Sequence, residues 1–178
     1  QVQPHVVIIS AQLLVTATSL LEVTSALVNS ETIIGYGGII FNMMPQLRER
    51  IPAHYLGQTK EGAVPIVERL IRQRAPNPSF ASDRGFNRVL SQFKQRRALI
   101  ESHIWRIFTV AAKSTEHLAE INHELAGVIM AALIFGDRDI LSRDMEWIDY
   151  LVKNYRISEK EAREYMTIYS QATEVHLN

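Results

Sequence analysis

The sequence predicts two segments of different class in one chain: α/β over residues 1–75, as a partial parallel sheet wound with helices, and all-α over residues 79–178, as a four-helix bundle. Three observations predict it. Short β-branched runs alternate with helical stretches as far as residue 75, two prolines interrupt the chain at Ala75-Pro76-Asn77-Pro78-Ser79, and beyond them helical apolar spacing continues without proline or strand-like alternation.

Val6-Val7-Ile8-Ile9, ending at Ser10, reads as a strand buried on both faces of a parallel sheet. Leu13, Leu14, Ala17, Leu20, Leu21, Val23, Ala26, Leu27 and Val28 then recur at helical spacing, which predicts an amphipathic helix packed on that sheet. Thr32 to Gly38 is a second strand running into a glycine-rich turn. A short helix at Pro45 to Arg50, a small strand at His54-Tyr55-Leu56-Gly57 and a helix from Lys60 to Arg74 follow. Three strands wound with helices make half of a flavodoxin-like (Rossmann-type) sheet, and half a sheet leaves a strand edge unpaired. The expectation is that this edge pairs with a missing N-terminal segment or with another chain as a homo-oligomer.

Four apolar stripes fill the second segment. Phe86, Val89, Phe93, Ile100, Ile104, Ile107 and Ala111 mark the first helix; Leu118, Ile121, Leu125, Val128, Ala132 and Leu133 mark the second, ended by Gly136. Leu141, Met145, Ile148, Val152 and Tyr155 mark the third. Ser158 and Glu161 form a capping box, with Ile157 before the cap, ahead of Ala162, Tyr165, Ile168, Tyr169, Ala172 and Val175. Short connections between such helices imply an antiparallel bundle.

Composition narrows the function classes. In 178 residues there is no cysteine, which excludes disulfides, thiolate metal sites, cysteine nucleophiles and thioether-linked chromophores. Nineteen basic residues balance nineteen acidic ones, so no overall positive field holds nucleic acid. The chain starts at glutamine and runs into apolar residues with no signal-peptide pattern, and it reads as a fragment of a longer, soluble, cytoplasmic protein; the stretch from Val6 to Val28 is too broken by polar residues to span a membrane.

The turn Gly35-Tyr36-Gly37-Gly38 is the most informative local feature. Glycines directly after a parallel strand let the backbone turn tightly and leave room for a ligand at the carboxyl edge of the sheet. The turn lacks the third glycine of the dinucleotide fingerprint, and no Walker-type lysine follows it. Tyr36 and Phe41 flank it and read equally as pocket lining or as packing between sheet and helix.

Val6 to Gln12, then Gly35-Tyr36-Gly37-Gly38-Ile39-Ile40-Phe41-Asn42, then Pro45 to Gly57 together resemble the second half of the B12-binding (cobalamin-binding) domain family, over roughly residues 5–72. The resemblance implies that Ser10, in the run Ser10-Ala11-Gln12, contacts the buried dimethylbenzimidazole of a cobalamin, that Gly37 and Gly38, in the turn from Gly35, leave space for it, and that Gly57, Gln58 and Thr59 lie beside the nucleotide loop. Two departures stand out. Gln12 occupies the position where the family usually carries leucine, and the Asp-x-His-x-x-Gly loop whose histidine ligates cobalt is absent. Neither His5 nor His54 is read as replacing it, since both sit at predicted strand starts.

Ala131 to Arg138, Trp147-Ile148-x-Tyr150-Leu151 and Tyr155 to Ser158 resemble the helical bundle that accompanies such domains in bacterial sensory proteins, although there the bundle usually comes first. Trp105 with Glu116-His117 is similar to the tryptophan and Glu-His pair that cap the upper axial face in light-sensing cobalamin regulators; no glycine lies between the two elements, and the alternative is core packing with a solvated charge pair. Glu120-x-x-His123 has the spacing of a di-iron half-site but occurs once. Gln95-Arg96-Arg97 and the arginines from Arg69 to Arg74 read as solvated faces, and His103 and His176 have no readable context.

The sequence is therefore expected to encode a non-catalytic sensory or regulatory module that binds cobalamin or a related tetrapyrrole. A cobalamin-carrying subunit of a methyltransferase or mutase, and a ligand-free dimerising regulator, are the alternatives. The chain shows no paired carboxylates in an apolar setting and no nucleophile elbow.

Overall fold

The computed structural model describes residues 4–79, 86–111, 114–141 and 144–177, the side chains of 144–147 excepted. The chain divides into two compact units, Gln1–Ser82 and Asp83–Asn178. Among the described residues the first is α/β and the second all-helical.

The α/β unit contains strands β1 (Val6–Ser10), β2 (Ile33–Gly37) and β3 (His54–Tyr55), and helices α1 (Leu14–Leu27), α2 (Ile40–Met43) and α3 (Lys60–Gln73). All pairings are parallel in the order β1-β2-β3, with Val6 opposite Ile33, Ser10 opposite Gly37 and Tyr36 opposite Tyr55. Ile33, Ile34, Gly35 and Tyr36 are all buried, as a central parallel strand requires. Against one part of β2, α3 lays Ile66, Val67 and Leu70 beside Ile33 and Leu56. Thr59 begins α3 by accepting the Gly62 N–H at 3.1 Å, and Arg74 ends it in a left-handed conformation at φ 46°.

Two expectations about β1 and α1 need correction. β1 is an edge strand instead of one buried on both faces: Ile8 is 59% exposed, and only β2 pairs with it among the described residues. On α1 the packed positions are Ala17, Thr18, Leu20 and Thr24, while Leu13, Val23 and Leu27 face outward. Thr18 and Thr24 are tolerated inside because their hydroxyls donate to the carbonyls of Val15 and Leu21. Of the expected stripe Ala17 and Leu20 are buried, and Thr18 and Thr24 complete the packed face in place of Val23 and Leu27. The segment Pro45–Arg50 is a 3₁₀ turn, not an α-helix, and α2 precedes it.

β3 is only two residues long, so it leaves the upstream half of β2 without a strand partner on that side. Asn77 supplies one. Its side-chain Oδ1 accepts the Ile34 N–H at 2.8 Å and its Nδ2 donates to the Thr32 carbonyl at 2.9 Å, the two bonds a neighbouring strand would make. The His54 Nε2 meets the Pro76 carbonyl at 3.1 Å, so the proline segment is tied to the sheet and is more than a spacer.

The helical unit holds α4 (Asn87–Val110), α5 (Leu118–Phe135), a 3₁₀ turn at Arg138–Ile140, α6 (Asp144–Tyr155) and α7 (Glu159–Leu177). α4 packs on α5 and α7, and α6 packs on α7. Phe93, Ile100, Ile104, Leu118, Ile121, Leu125, Ile148, Leu151, Tyr165, Ile168 and Tyr169 share one core. The Met145 and Trp147 side chains lie outside the described set. Val89, Leu141 and Val175, expected on the apolar stripes, are exposed. Gly136 ends α5 at φ 64°, and Ser158 and Glu161 cap α7 reciprocally, with Ser158 N–H donating to Glu161 Oε2 at 2.7 Å and Glu161 N–H to Ser158 Oγ at 3.2 Å. α5 is long and apolar enough to cross a membrane, but half of it is buried within the unit, and it carries Asn122, whose Oδ1 accepts the Tyr165 hydroxyl at 2.8 Å.

Asn77→Ala removes both bonds to β2 and leaves the Ile34 N–H without its acceptor. It should destabilise the α/β unit by about 1–3 kcal/mol, with faster amide exchange at Ile34 and unchanged protection of the α5 core. Hydrogen exchange with urea unfolding measures both.

Candidate functional site at the carboxyl edge of the sheet

In a parallel α/β sheet, ligands bind where loops leave the carboxyl ends of the strands. Here those loops begin at Ser10, Gly37 and Leu56-Gly57. Ser10 and Gly37 face one another in register, and the Ala11 N–H donates to the Gly37 carbonyl at 3.1 Å, carrying the pairing one step past the end of β1. On the other flank the Gly57 carbonyl oxygen lies 4.0 Å from the point a Cβ on Gly37 would occupy, and no atom comes closer. Gly37 thus floors a shallow cleft with backbone on one side and the exposed Ser10 on the other.

The Ser10 hydroxyl accepts from Gln12 Nε2 at 3.0 Å, which holds both polar groups at the strand end and leaves the hydroxyl proton for another acceptor. Gln58 and Thr59 are exposed beyond Gly57, which sits at φ 94°, a conformation suited to glycine. The Thr59 hydroxyl is engaged as the cap of α3. Leu13 and Ile39, on the loops leaving β1 and β2, present apolar side chains to solvent, as does Met43 at the end of α2.

Other expected site residues have structural roles. Gly38 leaves no space for a ligand: it adopts φ 120°, and a Cβ there would lie 2.0 Å from the Ala11 carbonyl oxygen. Its missing side chain makes way for the Ala11 backbone, and Ala11 itself is buried. Gly35 is covered by the Leu56 side chain, 2.8 Å from where its Cβ would be. Tyr36 and Phe41 are fully buried, their rings edge to face at 4.8 Å, so both belong to the core. The Tyr36 hydroxyl donates to the Arg48 carbonyl at 3.1 Å, and burial pushes its pKa well up.

A polar cluster that sequence reasoning missed braces the loop after β2. Arg48 Nε donates to the Phe41 carbonyl at 2.8 Å, its guanidinium lies 4.3 Å from the Tyr55 ring centroid, and the Tyr55 hydroxyl donates to Asn42 Oδ1 at 2.6 Å. The alternation Arg48-Glu49-Arg50 carried no sign that only Arg48 turns inward.

Neither histidine of the α/β unit reaches this edge. His5 precedes β1 and His54 begins β3, both at the amino ends of their strands. Burial lowers the His54 pKa below its ordinary value, against the raising effect of its bonds to the Pro76 and Ala75 backbone.

Trp105 and His117 belong to the helical unit. Trp105, on α4, is 38% exposed and is therefore not the core residue of the alternative reading. His117 immediately precedes α5, packs its ring 5.3 Å from Tyr155, and with Phe108, Leu118, Ile121, Ile157 and Tyr165 lines a cavity of about 60 Å³. Trp105 is not in that lining. On the Glu120-x-x-His123 segment His123 Nδ1 meets Arg97 Nη2 at 3.3 Å, and no group of three candidate metal ligands occurs among the described residues.

Gly38→Ala combines a left-handed φ with a collision against backbone and should cost at least about 3 kcal/mol. Gly37→Ala should change stability by less than about 1 kcal/mol, and thermal melts of the two variants compare them. The depressed His54 pKa also sets a pH dependence. The unfolded chain takes up the proton first, so stability is full above about pH 6.5 and falls as pH drops through that value toward the folded-state pKa. Melting of the α/β unit followed from pH 8 to 5 should decline in that window, and His54→Gln should flatten the decline.

No protein-family model matches this sequence, and no curated protein is significantly similar to it.

Proposed function

We propose that the chain is a non-catalytic sensory or regulatory module that binds cobalamin or a related tetrapyrrole, with the nucleotide tail or an equivalent flat group seated at the carboxyl edge of the three-stranded sheet. The observation that carries this reading is the open face of Gly37: across it Ser10 stands in register, and the Gly57 carbonyl lies 4.0 Å from the position a Cβ would take. A planar ring needs such a floor free of side chains, with a hydroxyl at its rim. Ser10, Gln12, Gly37, Gly57 and Gln58 are the residues that would hold it, Ser10 by donating to a ring nitrogen or ribose oxygen. Cobalt or a conjugated ring system would supply light absorption and axial-ligand exchange; the residues here supply orientation only. No cobalt-ligating histidine at this edge comes from residues 4–79, so a cobalamin would take its lower ligand from elsewhere or keep its own base.

The helical unit, read as a four-helix bundle, would respond to the ligand. The exposed edge of β1 suits pairing with an upstream segment or a second copy, which would complete the sheet. A second reading, a regulator that kept the fold without the ligand, is favoured by Gly38, whose glycine is accounted for by the Ala11 backbone alone.

Gly37→Trp puts an indole into the cleft without forcing a left-handed φ. Purified protein supplied with hydroxocobalamin, adenosylcobalamin, biliverdin or haem should retain visible absorbance through gel filtration, and Gly37→Trp should lose at least about tenfold in affinity (about 1.4 kcal/mol). Absence of uptake by the wild type favours the ligand-free regulator; equal uptake by the variant means the pocket lies elsewhere.

A further inference from the structure

The helical unit holds a pair of imidazoles of its own. His103, on the middle of α4, and His176, in the last turn of α7, meet with Nδ1 of the first 3.2 Å from Nε2 of the second, their rings edge to face at 5.3 Å. Both side chains are half-buried, and the two helices they belong to are packed along each other. No local sequence pattern announces the pair, since 73 residues separate its members.

We propose that His103 and His176 form a two-histidine site for a divalent transition metal, of the zinc or copper class, that clamps the end of α7 to α4. The geometry matches the chemistry. Imidazole nitrogens bind zinc at about 2.0–2.1 Å, and two such ligands at a tetrahedral angle stand about 3.3 Å apart, against 3.2 Å here. In the metal-free pair one facing nitrogen carries the hydrogen and donates it to the other. Binding a metal needs a lone pair on each, so one ring changes tautomer and moves its hydrogen to its outer nitrogen; no net proton is released. Nitrogen ligands without thiolate or carboxylate suit copper(II), zinc and nickel and not calcium or magnesium. Water completes the coordination, which makes the site one of moderate affinity and tunable occupancy. This metal site depends on the helical unit alone and is independent of tetrapyrrole binding.

The test uses the full chain without a histidine tag. One equivalent of copper(II) should give an electron paramagnetic resonance spectrum with two equatorial nitrogens, and zinc should raise the melting temperature by several degrees. His103→Ala and His176→Gln should each weaken binding at least about tenfold, since loss of even an outer-shell partner typically costs about 10–100-fold in metal affinity. His123→Ala, on α5 beside Arg97, should leave both signals unchanged. His176→Gln keeps a hydrogen-bonding side chain facing His103, so its loss of copper binding is separable from misfolding, which circular dichroism reports. A wild type that shows no two-nitrogen spectrum, or a His103→Ala/His176→Gln double variant that keeps it, overturns the proposal and assigns any bound metal to other surface histidines.

Discussion

The carbonyl of Ala11 occupies the space where a side chain on Gly38 would have to lie, and this close passage of two backbones governs the carboxyl edge of the α/β unit. It holds the loop after β1 against the loop after β2 at the level where ladder bonding stops, with the Ala11 N–H on Gly37 as the last rung. Only glycine meets both the close passage of the Ala11 backbone and the φ of 120°. With Gly38 committed to the crossing, Gly37 is the residue left with an open face.

The loop set up by that crossing is then stiffened by side chains bonding to backbone. Tyr36, Arg48, Tyr55 and Asn42 form a chain of donors and acceptors around the buried Phe41 ring, so the segment from Ile40 to Ile51 satisfies its polar groups without a long helix or strand. Asn77 does the same for β2. A three-stranded sheet with a two-residue third strand is small, and side chains standing in for missing ladder bonds are how it avoids leaving buried N–H groups bare.

What sequence conveys follows from which forces are local. The order of strands and helices was legible because period and punctuation are set within a few residues, as the Ser158–Glu161 box and Gly136 show. Burial was less so. Val6 to Ile9 has the composition of a central strand, but exposure depends on what lies beside it, and Ile8 ends up in solvent. On α1 the packed face holds Ala17, Leu20 and two threonines, and an apolar count that includes Val23 and Leu27 but omits threonine blurs that face. The placement of Ser10 and Gly37 at the carboxyl ends of their strands was legible from chain position. The separate fates of Gly35, Gly37 and Gly38 were not, since they depend on Leu56, Gly57 and Ala11, residues brought up by the fold. Contacts across long separations, such as Asn77 with β2 or His103 with His176, leave no local trace.

The hydrogen bond from Tyr165 to Asn122 ties α7 to α5 within a largely apolar core. Leucine, isoleucine and alanine contacts are forgiving: sliding one helix along another by a turn, about 5.4 Å, exchanges one apolar neighbour for another at modest cost. The phenol and the amide forbid that slide, because both are buried and each would be stranded without the other. The Asn122 Nδ2 has no partner among the described residues even in the native alignment, so holding the pair inside works against stability. In exchange the pair acts as a keyway cut in a shaft, since only one axial setting of the two helices lets the phenol and the amide meet.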